Sequence, residues 1–165
     1  MSAGVELVRY TDADRWLTEA LETDPRVMAE LGGAWSTDAI DGIHQRRLTA
    51  IAGGGWWETI RPGPGAAPVG AIGIWASSWE ETPISEVGWM VMPEHQGHGY
   101  ATAALAILLD RVRADGRWGP IHAFPGAANA ASNALCRRAG FTLLGTADVD
   151  YGDRVLHCHH WVLPA

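Results

Sequence analysis

The chain has 165 residues, 47% of them hydrophobic, and a formal net charge of −7. That length fits one domain over residues 1–165 with a substantial core, and that composition excludes a disordered body. No apolar run reaches the about 20 residues of a bilayer span, no basic stripe suits a nucleic acid, and residues 1–10 lack a basic-then-apolar leader, so neither a membrane nor a nucleic-acid partner is expected.

Residues 5–10 alternate and predict a first strand. Thr11-Asp12-Ala13-Asp14 reads as a capping box opening a helix to about Leu21. Asp24-Pro25 starts another short helical piece ending near Gly32-Gly33. Ser36 or Thr37 caps the next helix, whose apolar face is Ile40, Ile43, the stem of Arg47, Leu48 and Ile51, and Gly53-Gly54-Gly55 stops it. Residues 56–61 and 69–76 predict a hairpin around a Pro/Gly-rich turn, and residues 84–92 a third strand. Residues 100–114 predict a helix burying Ala101, Ala104, Leu105, Leu108, Leu109 and Val112. A short buried strand at 119–124 follows, then a helix at 128–139 closed by a left-handed Gly140. Residues 141–147 and 154–163 form a last strand pair around Asp150-Tyr151-Gly152-Asp153. The order β, helices, βββ, α, β, α, ββ predicts a mixed α/β sheet with a strand-to-helix crossing at its centre.

That crossing carries the strongest signal. An apolar strand runs into Gln96-Gly97-His98-Gly99-Tyr100-Ala101, and a helix opens at once. A helix start leaves backbone N–H groups without partners and carries partial positive charge, and glycines let an anion reach them. A Walker-type phosphate loop needs Gly-Lys-Ser/Thr, and all twelve basic residues here are arginine. A dinucleotide fingerprint needs a third glycine near the first strand, but Gly97-His98-Gly99-Tyr100-Ala101-Thr102 ends in Thr and lies mid-chain. A ligand-free structural turn is the remaining alternative.

The surrounding residues identify the seat by resemblance. Gln96-x-x-Gly99-x-Ala101 resembles the Gln/Arg-x-x-Gly-x-Gly/Ala signature of the GNAT superfamily of N-acetyltransferases. Asn129-x-x-Ser132-x-x-Leu135 with Gly140-Phe141 resembles that family's second segment, and Glu86-Val87-Gly88-Trp89 its acidic strand. Together they are similar to the branch holding ribosomal-protein N-terminal acetyltransferases and many small-molecule N-acetyltransferases. The likeness is clearest over residues 69–145, and Leu31-Gly32-Gly33-Ala34-Trp35 matches less specifically. The resemblance implies a mostly antiparallel sheet of about seven strands flanked by about four helices, with a splayed strand pair that binds CoA. It also implies acetyl-CoA as cosubstrate, an amine-bearing small molecule or a protein N-terminus as acceptor, and a homodimer as an open possibility.

Acetyl transfer needs a neutral amine, a polarised thioester and a proton for the leaving thiolate. A carboxylate can take the ammonium proton, and Glu86, on the strand leading to the loop, is the candidate base, with an ion-paired strand residue as its alternative. Backbone groups of Met90, Val91 and Met92 would bind the pantetheine arm, and Gln96, Gly97, His98, Gly99, Tyr100, Ala101 and Thr102 the pyrophosphate. Asn129 suits both a pantetheine contact and an N-cap. Many relatives carry a tyrosine after the matching leucine; Cys136 stands here, so Ser132, Cys136 and water are the candidate proton donors, with a small buried residue as the favoured alternative for Cys136. Trp35 and Trp56, with Trp57 and Glu86, are expected at the acceptor pocket, which residues 26–35 and the last strands complete.

No metal is expected. His157-Cys158-His159-His160 alternates across a strand, which splits any shared ligand set. Cys136 and Cys158 lie far apart and read as free thiols of a cytoplasmic protein. Cys136 in the tyrosine position favours a rival reading, a non-catalytic acyl-CoA sensor; an unrelated nucleotide enzyme is the third.

Overall fold

The computed structural model describes residues 4–165, so residues 1–3 of the stretch read for a leader lie outside the described residues. Runs of β-branched and aromatic residues bounded by Gly, Pro and Asp build seven strands among the described residues. They are β1 (Glu6–Arg9), β2 (Trp56–Arg61), β3 (Gly70–Trp79), β4 (Thr82–Val91), β5 (Ile121–Ala123), β6 (Thr142–Tyr151) and β7 (Arg154–Leu163). One sheet holds them in the order β1-β2-β3-β4-β5-β7-β6. Every pairing is antiparallel except β4 with β5. Four α-helices flank it: α1 (Arg15–Glu22), α2 (Ile40–Ala52), α3 (Tyr100–Asp115) and α4 (Ala130–Arg138).

The single parallel joint positions the site. β4 and β5 are in register only at Ser85–Ile121 and Glu86–His122, while β4 runs on to Val91. Beyond Glu86 the two strands part and leave a gap. Antiparallel ladders point alternate residues' N–H and C=O groups to one neighbour. The Met92 N–H donates to Val69 O at 2.9 Å, so Met92 and Met90 face β3. The main-chain groups on the gap side therefore belong to Trp89 and Val91, with the Val91 carbonyl already taken by Gln96 Nε2 at 2.9 Å. This corrects the expectation that the Met90 and Met92 main chain lines the gap.

The core forms on both faces. Leu105, Leu108, Leu109 and Val112 of α3 pack against Ile60, Ile72, Ile74 and Val87 of the sheet. On the other face Leu17 and Leu21 of α1 meet Ala71, with Trp57, Met90 and Met92 around them. Removing each such side chain from water contributes about 1.5–3 kcal/mol before the cost of ordering the chain.

Local signals decide the ends. The Thr11 N–H donates to Asp14 Oδ2 at 2.8 Å, the predicted capping box, although a 3-10 turn (Asp12–Asp14) precedes α1. At the end of α4 the Phe141 N–H bonds Cys136 O (3.0 Å) and the Gly140 N–H bonds Arg137 O (3.2 Å), a Schellman closure made possible by Gly140 at φ +91°.

Two elements differ from expectation. Residues 24–33 form successive turns rather than a helix. Asp24 Oδ1 takes the Arg26 N–H at 2.8 Å, Gly32 and Gly33 sit at φ +83° and +92°, and Arg154 Nη1 donates to Leu31 O at 3.0 Å. Only isolated backbone turns remain, such as the Met28 N–H to Asp24 O (3.0 Å) and the Gly33 N–H to Met28 O (2.9 Å), and side-chain and tertiary bonds supplement them in place of a continuous helical ladder. In α2 the buried face is Ile40, Ile43, His44 and Arg47, whereas Leu48 and Ile51 are half-buried. Arg47 buries its head as well as its stem, because Glu22 waits inside for it.

Candidate active site

A cleft of about 1020 Å³ runs from the β4–β5 gap across the sheet to α1 and α2. At one end, a 3-10 turn (Pro93–His95) follows β4 and Gln96 Nε2 donates to Val91 O at 2.9 Å, which ties the loop to the strand. Gly97 (φ +76°) and Gly99 (φ +80°) occupy the left-handed region. A Cβ on either would meet no protein atom within 4 Å, so the space above them is open. Gly99 is the N-cap of α3 and supplies no side-chain acceptor, so first-turn N–H groups remain for an outside anion. Gln96, Gly97, Gly99, Tyr100, Ala101 and Thr102 all line the cleft. The His98 ring is not on its wall: Nδ1 lies 3.1 Å from His95 O and 3.0 Å from Gln96 O, and the ring stacks on Tyr100.

Glu86 sits where β4 and β5 part, on the cleft wall. Burial pushes its carboxyl above the ordinary 4.5, and a hydrogen bond from Ser77 opposes this only in part. Cys158 is on the same wall; burial first, then the Glu86 charge, pushes its thiol up to about 11.

On α4, Asn129 is the N-cap, its Oδ1 accepting from the Ser132 N–H at 3.0 Å. Asn129, Ser132 and Leu135 face the cleft. Cys136 does not: it is 0% exposed within the core, and burial pushes its thiol up to about 12. It packs as a small apolar residue, which corrects its candidacy as acid. Asn133, missed in the sequence, anchors this wall: Nδ2 donates to Gly126 O (2.9 Å) and Asn129 O (2.7 Å), and Oδ1 accepts from Trp161 Nε1 (2.8 Å).

On the α1–α2 side the wall is Trp57, Trp75, Met90, Leu156 and a buried ion pair. Arg47 Nη2 donates to Glu22 Oε1 at 2.8 Å, and Arg47 Nη1 to Thr18 Oγ1 at 2.8 Å. Burial raises the Glu22 carboxyl, with Arg47 opposing, and Tyr151 donates to Glu22 Oε2 at 3.4 Å. The sequence carried the signal: Thr18 and Glu22 share the apolar face of α1, and Arg47 that of α2. Trp56 points to the opposite sheet face, edge-on to Trp118 and under Arg117. Trp35 lies below the β6–β7 hairpin, 3.5 Å from the Arg154 guanidinium carbon. Neither lines the cleft, which corrects both acceptor assignments; of the expected pair Trp56 and Trp57 only Trp57 lines it, as strand alternation requires.

The C-terminal histidines disperse. His157 meets Asp148, His159 meets Asn133 and His160 meets His122. Among the described residues no group of three or more His, Cys, Asp or Glu is arranged to hold a metal. No described helix is long and apolar enough to cross a membrane.

Known proteins share this architecture. An acetyltransferase from Agrobacterium tumefaciens superposes with a TM-score of 0.79 at 20% identity, over 100% of this chain and 93% of that one. A spermidine N-acetyltransferase from Vibrio cholerae, solved with CoA and spermine, gives 0.76 at 15% identity, over 97% and 95%. An acetyltransferase from Salmonella typhimurium that modifies the N-terminal serine of ribosomal protein L7/L12 gives 0.74 at 16%, over 99% and 96%. These identities carry the fold alone. No curated protein matches the chain. The family model described as an acetyltransferase (GNAT) domain matches residues 5–142, and with the splayed sheet and the glycine loop in view the chain belongs to the GNAT family of acetyltransferases.

Proposed function

We propose that residues 1–165 form one acetyl-CoA-dependent N-acetyltransferase domain that moves an acetyl group directly to a primary amine. The observation that carries the reading is the single wall shared by a half-buried carboxyl, Glu86, and an open glycine-rich helix start. The open space over Gly97 and Gly99 fits a pyrophosphate, and the main-chain groups of Trp89 and the Val91 N–H fit an extended pantetheine amide chain. Asn129 and Ser132 would complete that hold from α4. Acetyl-CoA supplies the thioester acyl group: the amine's N–C bond forms as the C–S bond breaks and CoA leaves as the thiol.

The chain's own part is protonic. An ammonium must lose a proton before it attacks, and the raised affinity of Glu86 for a proton suits it to receive one. Ser132 Oγ or water returns a proton to the leaving thiolate, since Cys136 is sealed in the core. Glu86→Gln is expected to lower kcat by about 100-fold or more while CoA affinity holds, measured by thiol release and by calorimetric titration of CoA. Full activity in that variant removes Glu86 from the mechanism. The absence of a tyrosine acid on α4 favours one rival, an acyl-CoA sensor; tight CoA binding with no thiol release on any amine would decide for it.

A further inference from the structure

The cleft floor near Glu86 has a composition that narrows the acceptor, given the acetyl-transfer reading above. Gly73 and Gly88 are direct partners across β3 and β4. A Cβ on Gly73 would fall 2.5 Å from Trp57 Cδ2, and one on Gly88 would fall 3.0 Å from Trp75 Cη2. The space left by the paired glycines is filled by the two indoles, which stack face to face with their ring centroids 5.0 Å apart and their planes 11° from parallel. Arg47 already covers Trp57, its guanidinium carbon 4.6 Å from the ring centroid. Trp75 has no such cation among the described residues, and it is the register partner of Glu86 on the same sheet face.

Charge on the wall excludes a polycation. Three carboxylates line the cleft, Glu22, Glu30 and Glu86. Glu22 is neutralised by Arg47 at 2.8 Å, and Arg26, Arg46 and Arg138 also line the cleft. No acidic excess is left to receive a second or third ammonium. Beyond Glu86 the wall turns apolar at Val149, Leu156 and Cys158.

We propose that the acceptor is a small arylalkyl monoamine. Its one ammonium lies against Glu86 and the face of Trp75 turned away from Trp57, and its flat ring packs along the stacked indole pair. An ammonium gains from an indole face, and aromatic pairs gain beyond the area they bury.

The test compares thiol release from acetyl-CoA with 2-phenylethylamine, hexylamine, spermidine and a serine-initiated peptide. The expected kcat/KM for 2-phenylethylamine exceeds each of the others by about tenfold or more. Trp75→Leu is expected to shrink that preference through KM, Trp75→Phe to keep most of it, with CoA affinity confirming that each variant is folded. A wild-type preference for spermidine or the peptide, or a preference unchanged in folded Trp75→Leu, overturns the proposal. If wild-type protein transfers acetyl to none of the four, the acetyltransferase reading fails by itself. Calorimetric binding to the CoA-loaded protein then decides the acceptor: tighter binding of 2-phenylethylamine than of hexylamine supports the proposal, and equal binding overturns it.

Discussion

Burial makes Glu86 a better base and a liability at once. A carboxyl held above its ordinary 4.5 is active only when ionised, so kcat/KM should rise as pH climbs through that elevated value. Stability runs the other way. A raised folded-state pKa means that the protonated form is favoured by folding, a contribution present below 4.5 and lost as pH rises through the folded value. Glu86→Gln escapes that loss, so its Tm relative to wild type should be higher at pH 8 than at pH 4; an equal difference at both contradicts the assigned burial. Arg47 makes a different wager. Its pair with Glu22 is sealed, with side chains 5% and 1% exposed. Arg47→Met leaves that carboxylate alone and should cost about 3–5 kcal/mol in urea unfolding, while adding Glu22→Leu should return part of it. Single residues were legible where a motif named them, as with Glu86, Gly97 and Gly99. They were not where only a neighbour gives meaning: Cys136 stood both as a candidate acid and as a small buried residue until the core closed around it, and Trp56 and Trp57 differ only in which sheet face they take.

At the scale of elements, periodicity was a sound guide wherever the chain bonds to itself. The capping box at Thr11, the closure at Gly140 and the bounds of β2 all follow from local chemistry. Residues 24–33 escaped because their local turns are fixed in part by the Asp24 side chain and by the distant Arg154. The start of α3 is the element on which cofactor binding depends. Gly99 holds φ +80°, yet a Cβ there would strike no protein atom. Gly99→Val should therefore cost only about 1–3 kcal/mol of stability, from backbone strain. The loss of CoA affinity, read by calorimetric titration, should far exceed what that strain explains, because the added side chain fills the space left for phosphate. Unchanged affinity places the cofactor elsewhere.

Over the whole molecule, element order foretold a mixed sheet but not its strand order. β7 lies between β5 and β6, so the last hairpin folds back and brings Cys158, Leu156 and Tyr151 to the cleft. Long-range pairings of this kind leave no local trace in sequence. Composition and periodicity are equally silent on the parallel joint, which the family resemblance alone implied as a splayed strand pair: two registered pairs, Ser85–Ile121 and Glu86–His122, hold β4 and β5 together before they part. That parting creates the gap, sets Glu86 at its edge and aims the main chain of Trp89 and the N–H of Val91 into it. The most direct measurement is a crystal structure of the protein grown with CoA. The account predicts the pantetheine arm between β4 and β5, bonded to Trp89 and Val91, and the pyrophosphate on the N–H groups at Gly97 to Ala101. A ligand bound outside the gap, with those N–H groups turned to other protein atoms, would contradict it.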